Sequence, residues 1–292
     1  MKHKKSTIVI SLLLVLALAL LAGCGGEKTQ STTAPDDLTA GDVDVTEADD
    51  GKTEADGLLA EIKANGYITI AMEGTWAPWT YHDEDDTLVG YDVEVGQKIA
   101  EALGVHPRFI EGEWDGLLAG LEAARYDIMI NGVDITPERE EKYAFSTPYA
   151  YNRTAVIVRS DDERITKMED LDGMNTANTI SSTYAEVAEK YGANVTGVDD
   201  LNQTMELLLS GRIDATLNAE VTYYDYMKAH PDAGLKIAVI DLDSTSVAIP
   251  MRKGAETQSL LAAVNDALET MRQDGTLKAL SEKYFGTDIS SQ

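Results

Sequence analysis

Cysteine is nearly absent from this chain, since Cys24 is the single cysteine among 292 residues. One cysteine excludes an intramolecular disulfide and any CxxC metal or redox site. Histidine is scarce as well, and the four histidines are scattered without the spacing of metal ligands. We therefore expect neither a metal site nor a cofactor.

Basic residues are also few, with 24 Lys and Arg against 51 Asp and Glu, which gives a net charge of −27. A charge of this sign argues strongly against binding to nucleic acid. Apolar residues make up 43% of the 292 residues, so the chain can bury cores for two domains of ordinary size.

The first 23 residues, Met1–Gly23, have the organisation of a signal peptide. Three lysines precede an apolar run of about 14 residues, which is too short to favour spanning a membrane. The sequence Leu-Ala-Gly-Cys that ends at Cys24 resembles a bacterial lipobox, in which cleavage precedes a lipidated cysteine. The alternative is a signal anchor with an unrelated cysteine. We expect a mature protein anchored to the membrane through lipid on Cys24.

Residues 24–57 form a predicted acidic tether. They are rich in Gly, Thr, Ser, Ala and Asp and carry ten acidic side chains against two lysines. A segment of this composition buries too little apolar surface to fold, so we expect it to be disordered.

A strand, a turn and a helix start follow one another before the middle of the chain. The apolar run Tyr126–Ile130 predicts a buried strand, and the motif N-G-V-D-I-T-P-E-R occupies residues 131–139. Thr136 is a natural N-cap, and Pro137 suits a first helical position. Free amides at a helix start favour anions, and Arg139 has the planar fork that binds a carboxylate bidentately. From the residues alone, Arg139 either binds such a ligand or pairs with a neighbouring glutamate.

Several motifs, in a consistent order, resemble one family. I-T-P-E-R at residues 135–139 precedes F-S-T-P-Y at 145–149, and G-R-I-D-A at 211–215 precedes D-G-T-L-K-A-L-S-E-K-Y-F-G at 274–286. Together they resemble the family-3 extracellular solute-binding proteins of polar amino-acid ABC importers. The resemblance covers about residues 67–285, which is most of the chain.

This resemblance implies an α/β fold of the type II periplasmic-binding-protein kind, with two lobes and a ligand cleft between them. Lobe 1 would comprise residues 58–155 and 247–292, and lobe 2 residues 156–246. The implied protein is a monomer without catalytic residues. It would capture a polar amino acid at the outer face of the membrane and present it to an ABC permease.

The resemblance also implies the main ligand contacts. In the family, the arginine at the position of Arg139 binds the α-carboxylate of the amino acid. Residues at the positions of Glu73 and Trp76 contact the ligand's amine and side chain. An aromatic residue at the position of Trp114 often forms the other side of a sandwich around that side chain, although core packing is the alternative for a tryptophan.

A second anion-holding segment is implied in lobe 2. The family's G-T-T motif overlies Ser181, Ser182 and Thr183, whose hydroxyls and free amides can hold an anion, besides capping the helix that follows. The complete set of expected ligand-binding residues is Glu73, Trp76, Trp114, Asn131, Gly132, Asp134, Arg139, Ser181, Ser182, Thr183 and Glu220.

The chain departs from the family pattern at two positions. Asp134 stands where Ser or Thr is usual, and Ala219 stands where an acid usually holds the ligand's α-amine. An unpaired buried charge costs several kcal/mol, so we expect another acid to take the amine. Asp134 and Glu220 are the two candidates, with Glu73 assisting. Alternatively, Asp134 caps a turn and points away from the ligand.

An acidic site of this kind also suits a ligand with an extra amine, such as cystine or a basic amino acid. Two further functions remain open at this point. The same fold hosts dehydratase enzymes, in which Glu73 or Asp134 could serve as the proton-transferring acid. A ligand-sensing domain is the other alternative.

Overall fold

The computed structural model describes residues 57–292. The predicted signal peptide, the lipidation site Cys24 and the tether as far as residue 56 lie outside the described residues. Within residues 57–292, no helix is both long and apolar enough to cross a membrane. In the same range, no cluster of three or more His, Cys, Asp or Glu side chains could hold a metal ion.

Helices and strands alternate along most of the described chain. The α-helices are α1 (Leu58–Asn65), α2 (Tyr91–Leu103), α3 (Trp114–Glu122), α4 (Pro137–Lys142), α5 (Thr183–Lys190), α6 (Leu201–Leu209), α7 (Glu220–Ala229), α8 (Gln258–Gln273) and α9 (Thr276–Phe285). The strands are β1 (Tyr67–Met72), β2 (Thr75–Trp76), β3 (Thr80–His82), β4 (Leu88–Val89), β5 (His106–Glu111), β6 (Ile128–Met129), β7 (Tyr143–Phe145), β8 (Ala150–Asn152), β9 (Thr154–Arg159), β10 (Asn175–Asn178), β11 (Asn194–Gly197), β12 (Ala215–Ala219), β13 (Leu235–Ile240), β14 (Thr245–Val247) and β15 (Pro250–Arg252).

Lobe 1 is built on a parallel sheet in the order β5-β1-β6. Ile68 and Ile70 of β1 are fully buried, in a core that they share with Ile99 of α2. Leu260 of α8 and Leu277 of α9 belong to the same core, so the last two helices complete the packing around α2. α3 packs on β1 and β6. Apolar side chains of α3 and of these two strands form a second buried cluster, through which α3 covers the sheet.

Lobe 2 is built on a five-stranded sheet in the order β11-β10-β12-β9-β13. β9 lies between β12 and β13 and runs antiparallel to both. The first five residues of β9 are buried, as expected for an apolar run in a strand covered on both faces. Helices α5, α6 and α7 pack against this sheet.

Two short antiparallel ladders lie beside the crossings between the lobes. β8 pairs with β14, with Asn152 opposite Thr245, and β7 pairs with β15. The chain therefore enters and leaves lobe 2 through adjacent segments. The sequence predicts a lobe boundary between residues 155 and 156. This position falls inside β9, and the limits of the lobes remain a proposal.

The carboxyl ends of parallel strands from both lobes face the same cleft. Glu73 follows β1 and Asn131 follows β6 in lobe 1, while Asn178 and Asn218 lie at the ends of β10 and β12 in lobe 2. Ligands of open α/β sheets bind at this edge, beyond the ends of the strands. The topology thus brings polar side chains from four strand ends into one cavity.

Candidate ligand-binding cleft

The cleft between the lobes contains about 510 Å³ of empty space, which includes the part that is open to solvent. Its lining includes nine of the residues expected from the sequence: Glu73, Trp76, Trp114, Asn131, Gly132, Asp134, Arg139, Ser182 and Thr183.

Arg139 is buried at the start of α4. The Thr136 hydroxyl accepts the Arg139 N–H at 3.2 Å, so the expected N-cap fixes this part of the backbone. Nη1 donates to the Asp134 carbonyl at 3.1 Å, and Nη2 donates to the Ser181 carbonyl of lobe 2 at 3.0 Å. A guanidinium has five N–H donors, so three are free of these two bonds. Glu138, a neighbour that could have neutralised Arg139, pairs with Lys142 at 3.0 Å.

Aromatic side chains form the apolar part of the lining. Trp76 stacks on the buried Trp79, with ring centroids 5.2 Å apart and an interplanar angle of 12°. The same indole lies against Gly132, where an added Cβ would be 2.5 Å from a ring carbon. Trp76 Nε1 donates across the cleft to Asn218 Oδ1 at 3.2 Å. Trp114, the first residue of α3, lies with its ring centroid 5.4 Å from the Arg139 guanidinium.

Glu73 and Asn131 hold each other in place at the ends of β1 and β6. The Glu73 N–H donates to Asn131 Oδ1, and Asn131 Nδ2 donates to Glu73 Oε2, both at 2.7 Å. Burial raises the pKa of Glu73 to about 7, although the hydrogen bond from Asn131 lowers it. The charges of Asp200 and Asp115 raise the pKa further.

Asp134 is buried, and both of its carboxylate oxygens accept hydrogen bonds. The Thr183 hydroxyl of lobe 2 donates to Oδ2 at 2.5 Å, and the Thr245 hydroxyl donates to Oδ1 at 2.6 Å. Burial raises the pKa of Asp134, while the two hydroxyls and the charge of Arg139 lower it. The carboxylate thus faces the cleft and the other lobe, and does not cap its own turn.

The side chains of Ser181 and Glu220 are not part of the cleft lining. The Ser181 hydroxyl donates to Asp115 Oδ1 at 2.6 Å at the rim, and only its carbonyl reaches Arg139. Glu220 forms a salt bridge of 2.6 Å with Arg153 and accepts a hydrogen bond from the Tyr224 hydroxyl at 3.1 Å. It lines a separate cavity beside the ladder of β8 and β14. Of the two acids expected to replace the missing amine partner, only Asp134 lies in the cleft.

Seven further residues line the cleft and were not expected from the sequence: Asn178, Thr179, Tyr184, Asp200, Leu201, Thr204 and Asn218. All belong to lobe 2. Asn218 could have been found, because it lies near the carboxyl end of β12, the strand into which the motif G-R-I-D-A leads. Polar contacts from lobe 1 to Ser181, Thr183 and Asn218 show that the lobes touch across the cleft.

A cleft of this kind, between two lobes and at the carboxyl ends of their strands, defines a binding protein that encloses a small ligand. The chain matches the model of the bacterial extracellular solute-binding proteins, family 3, over residues 68–287, and it belongs to that family. The fold is therefore the two-lobed type II fold, and the family is extracytoplasmic.

Two relatives and one solved structure illustrate the similarity. The probable amino-acid ABC transporter-binding protein of Haemophilus influenzae is 42% identical over 82% of this chain and 92% of its own. The L-cystine-binding protein TcyA of Bacillus subtilis is 36% identical over 97% of this chain and 98% of its own. An ancestral arginine-binding protein bound to arginine superposes with a TM-score of 0.71, at 33% identity over 76% of this chain and 99% of its own.

Proposed function

We propose that this protein is the extracytoplasmic receptor of an ABC importer and delivers a polar amino acid to its permease. The observation that carries the proposal is the buried pair of opposite charges in the cleft, Arg139 and Asp134. A zwitterion requires a partner for each charge, because an unpaired buried charge costs several kcal/mol. Within residues 57–292, Arg139 keeps three donors outside its two hydrogen bonds for the α-carboxylate, and Asp134 is an acceptor for the α-ammonium.

Asp134 replaces the acid that family members carry at the position of Ala219. Each carboxylate oxygen has two lone pairs, so Asp134 can accept an ammonium N–H besides the two threonine hydroxyls. Glu220 is engaged by Arg153 away from the cleft, which favours Asp134 as the amine partner. The Thr183 hydroxyl then links the amine partner in lobe 1 to lobe 2.

The remaining parts of the proposal follow from the family and from the N-terminal sequence. Trp76 and Trp114 would enclose the ligand's side chain, since aromatic faces supply contact area at low entropic cost. Ligand contacts in both lobes would stabilise a closed form by a hinge motion. The protein would be a monomer that lipid on Cys24 anchors to the membrane. The tether would allow the two lobes to reach the permease.

A ligand screen tests the proposal directly. The purified full chain in mild detergent, stripped of carried-over ligand, is heated with each of the twenty amino acids, cystine and ornithine. A ligand that binds only the folded state raises the unfolding midpoint by mass action. A clear shift with one or a few amino acids supports the receptor function, and no shift with any of them refutes it.

The role of Asp134 has its own test. Calorimetry on Asp134→Ala should show a loss of affinity on the order of 10-fold to 100-fold for the amino acid found in the screen, because a hydrogen bond to a charged group contributes about 1.5–3 kcal/mol. Asp232→Ala, on the exposed surface of lobe 2, is the matched control. Unchanged affinity of Asp134→Ala for every amino acid would show that the amine lies elsewhere.

An enzymatic function on the same fold is the second candidate, because a carboxyl with a pKa of about 7, as in Glu73, suits proton transfer. Mass spectrometry of the bound amino acid after prolonged incubation separates the two functions. A receptor returns its ligand unchanged.

A further inference from the structure

One cleft-lining residue of lobe 2, Asn178, carries a buried hydrogen-bond acceptor for which residues 57–292 supply no donor. Asn178 is 3% exposed, and its Nδ2 donates to the Leu217 carbonyl at 2.7 Å, which fixes the orientation of the amide. Among residues 57–292, Oδ1 of Asn178 has no hydrogen-bond partner. A buried acceptor without a donor costs about 1–3 kcal/mol, so the site favours a ligand that supplies an N–H.

Asp200 lies close to Asn178 in the fold. The N–H of Val198 donates to the Asn178 carbonyl at 3.2 Å, and Asp200 follows two residues later as the N-cap of α6. One carboxylate oxygen, Oδ1, accepts the Gln203 N–H at 2.9 Å. Asp200 also lines the cleft, and its Oδ2 accepts no hydrogen bond from residues 57–292.

Glu73 contributes a third acceptor from lobe 1. The charges that act on it are those of Asp200 and Asp115, whereas Arg139 acts on Asp134. Glu73 and Asp200 thus add two carboxylates to the cleft, besides the pair of Arg139 and Asp134.

We propose that Asp200 and Asn178, together with Glu73, form a subsite for a second cationic nitrogen on the ligand. The proposal rests on the receptor function above and narrows its substrate class to amino acids with an additional ammonium or guanidinium group. Both the basic amino acids and cystine, through its second α-ammonium, have this chemistry. A neutral side chain would leave the acceptors unpaired, and an acidic one would be repelled.

Ligand pairs of equal shape test the subsite by calorimetry on the full chain. Arginine is compared with citrulline, and ornithine with norleucine, while cystine is measured separately. We expect the cationic member of each pair, or cystine, to bind on the order of 10-fold to 100-fold more tightly than the neutral ligands, as for hydrogen bonds to charged groups. Comparing the titrations of the two ligand pairs with that of cystine shows whether a basic amino acid or cystine supplies the second cationic nitrogen.

The variant Asp200→Asn removes the charge and keeps the helix start, since Asn is as good an N-cap as Asp. It should reduce the preference for the cationic ligand over its neutral partner, or the affinity for cystine, about 10-fold. Asp199→Asn, the exposed neighbour, should leave both unchanged. A preference that survives in Asp200→Asn would overturn the proposal.

Proton release gives a second readout that needs no variant. A cation beside Glu73 lowers the pKa of this carboxyl from about 7, so binding at pH 7 should release up to about half a proton. Because the buffer takes up that proton, the measured heat of binding should depend on the ionisation enthalpy of the buffer. Asp115 and Asp200 are the charged groups that act on Glu73, and both favour its protonated form before the cation binds. Tight binding of a neutral amino acid without proton release would refute the subsite and leave the receptor function standing. Failure to bind any amino acid would instead refute the receptor function.

Discussion

Replacing Gly132 by alanine should damage both the stability of lobe 1 and the cleft. Gly132 has φ = +55°, and an ideal Cβ there would lie 2.5 Å and 2.7 Å from two carbons of the Trp76 ring. The ring cannot retreat freely, because its other neighbour is the stacked Trp79 at 5.2 Å. Two costs therefore add at this position, namely the strain of a left-handed backbone and the steric clash.

Gly104→Ala separates the two costs. Gly104 also has a positive φ, of +74°, but an added Cβ there would have nothing within 4 Å. Left-handed strain costs about 1–2 kcal/mol in either variant. Overpacking adds about 1–3 kcal/mol in Gly132→Ala alone. We expect losses in the free energy of unfolding of about 1–2 kcal/mol for Gly104→Ala and about 2–5 kcal/mol for Gly132→Ala.

Urea denaturation of the ligand-free protein measures this difference in the free energy of unfolding. Calorimetry measures the effect of the two substitutions on ligand affinity. Displacing Trp76 breaks the bond from its Nε1 to Asn218, which joins the lobes. A net hydrogen bond contributes about 0.5–1.5 kcal/mol, so ligand affinity should fall roughly 2-fold to 10-fold in Gly132→Ala and stay constant in Gly104→Ala. Equal unfolding free energies for the two variants, within about 0.5 kcal/mol, would refute the steric reasoning.

Three further predictions concern charged groups. Arg139→Lys loses the planar fork, and calorimetry should show a loss of affinity on the order of 100-fold for the amino acid bound. Arg164 lowers the pKa of Asp162 to about 2, so this carboxylate stabilises the fold above about pH 4 and the contribution is lost as the pH falls toward 2. Asp162→Asn should therefore cost at most about 2 kcal/mol at pH 7 and little at pH 2, by chemical denaturation. Burial raises the pKa of both Glu73 and Asp92 to about 7, so the free energy of unfolding of the ligand-free protein should rise as the pH is lowered from about 8 to 6, by at most about 1.4 kcal/mol per pH unit for each proton.

Controls for these variants come from exposed side chains. Arg125→Lys should bind ligand as the unmodified protein does, and Asp161→Asn should have the same free energy of unfolding as the unmodified protein at pH 7. Retained affinity in Arg139→Lys would remove the carboxylate contact from the proposal. A stability that stays level or rises between pH 6 and pH 8 would contradict the raised pKa values of the two buried acids.

The sequence indicated the local structure around Arg139 well, because the governing interactions are local. Thr136 caps the helix through an N–H three residues away, and Pro137 occupies the first helical position. Trp76 and Trp114 were likewise placed in the cleft from the motifs that contain them. The strand before this turn is shorter than the apolar run suggested, since only Ile128 and Met129 pair with β1.

The positions of Asn178 and Asp200 in the cleft could not be predicted, because they depend on how the strands of lobe 2 pair. Asn178 and Asp200 are separated by 22 positions and become neighbours only through the pairing of β10 with β11. Glu220 failed as an amine partner for a similar reason. It is the first residue of α7, and the change from strand to helix turns its side chain to Arg153 and away from the ligand.

The discontinuous build of lobe 1 has a consequence for biogenesis. The sheet of lobe 2 uses one continuous stretch, residues 154–240, whereas the core around α2 needs Leu260 and Leu277 from the last two helices. A chain that emerges from its amino end can complete lobe 2 before lobe 1, because the helices that cover α2 arrive last. Newly made chains that stop before α8 would therefore leave the apolar side of α2 uncovered and become substrates for proteases and chaperones.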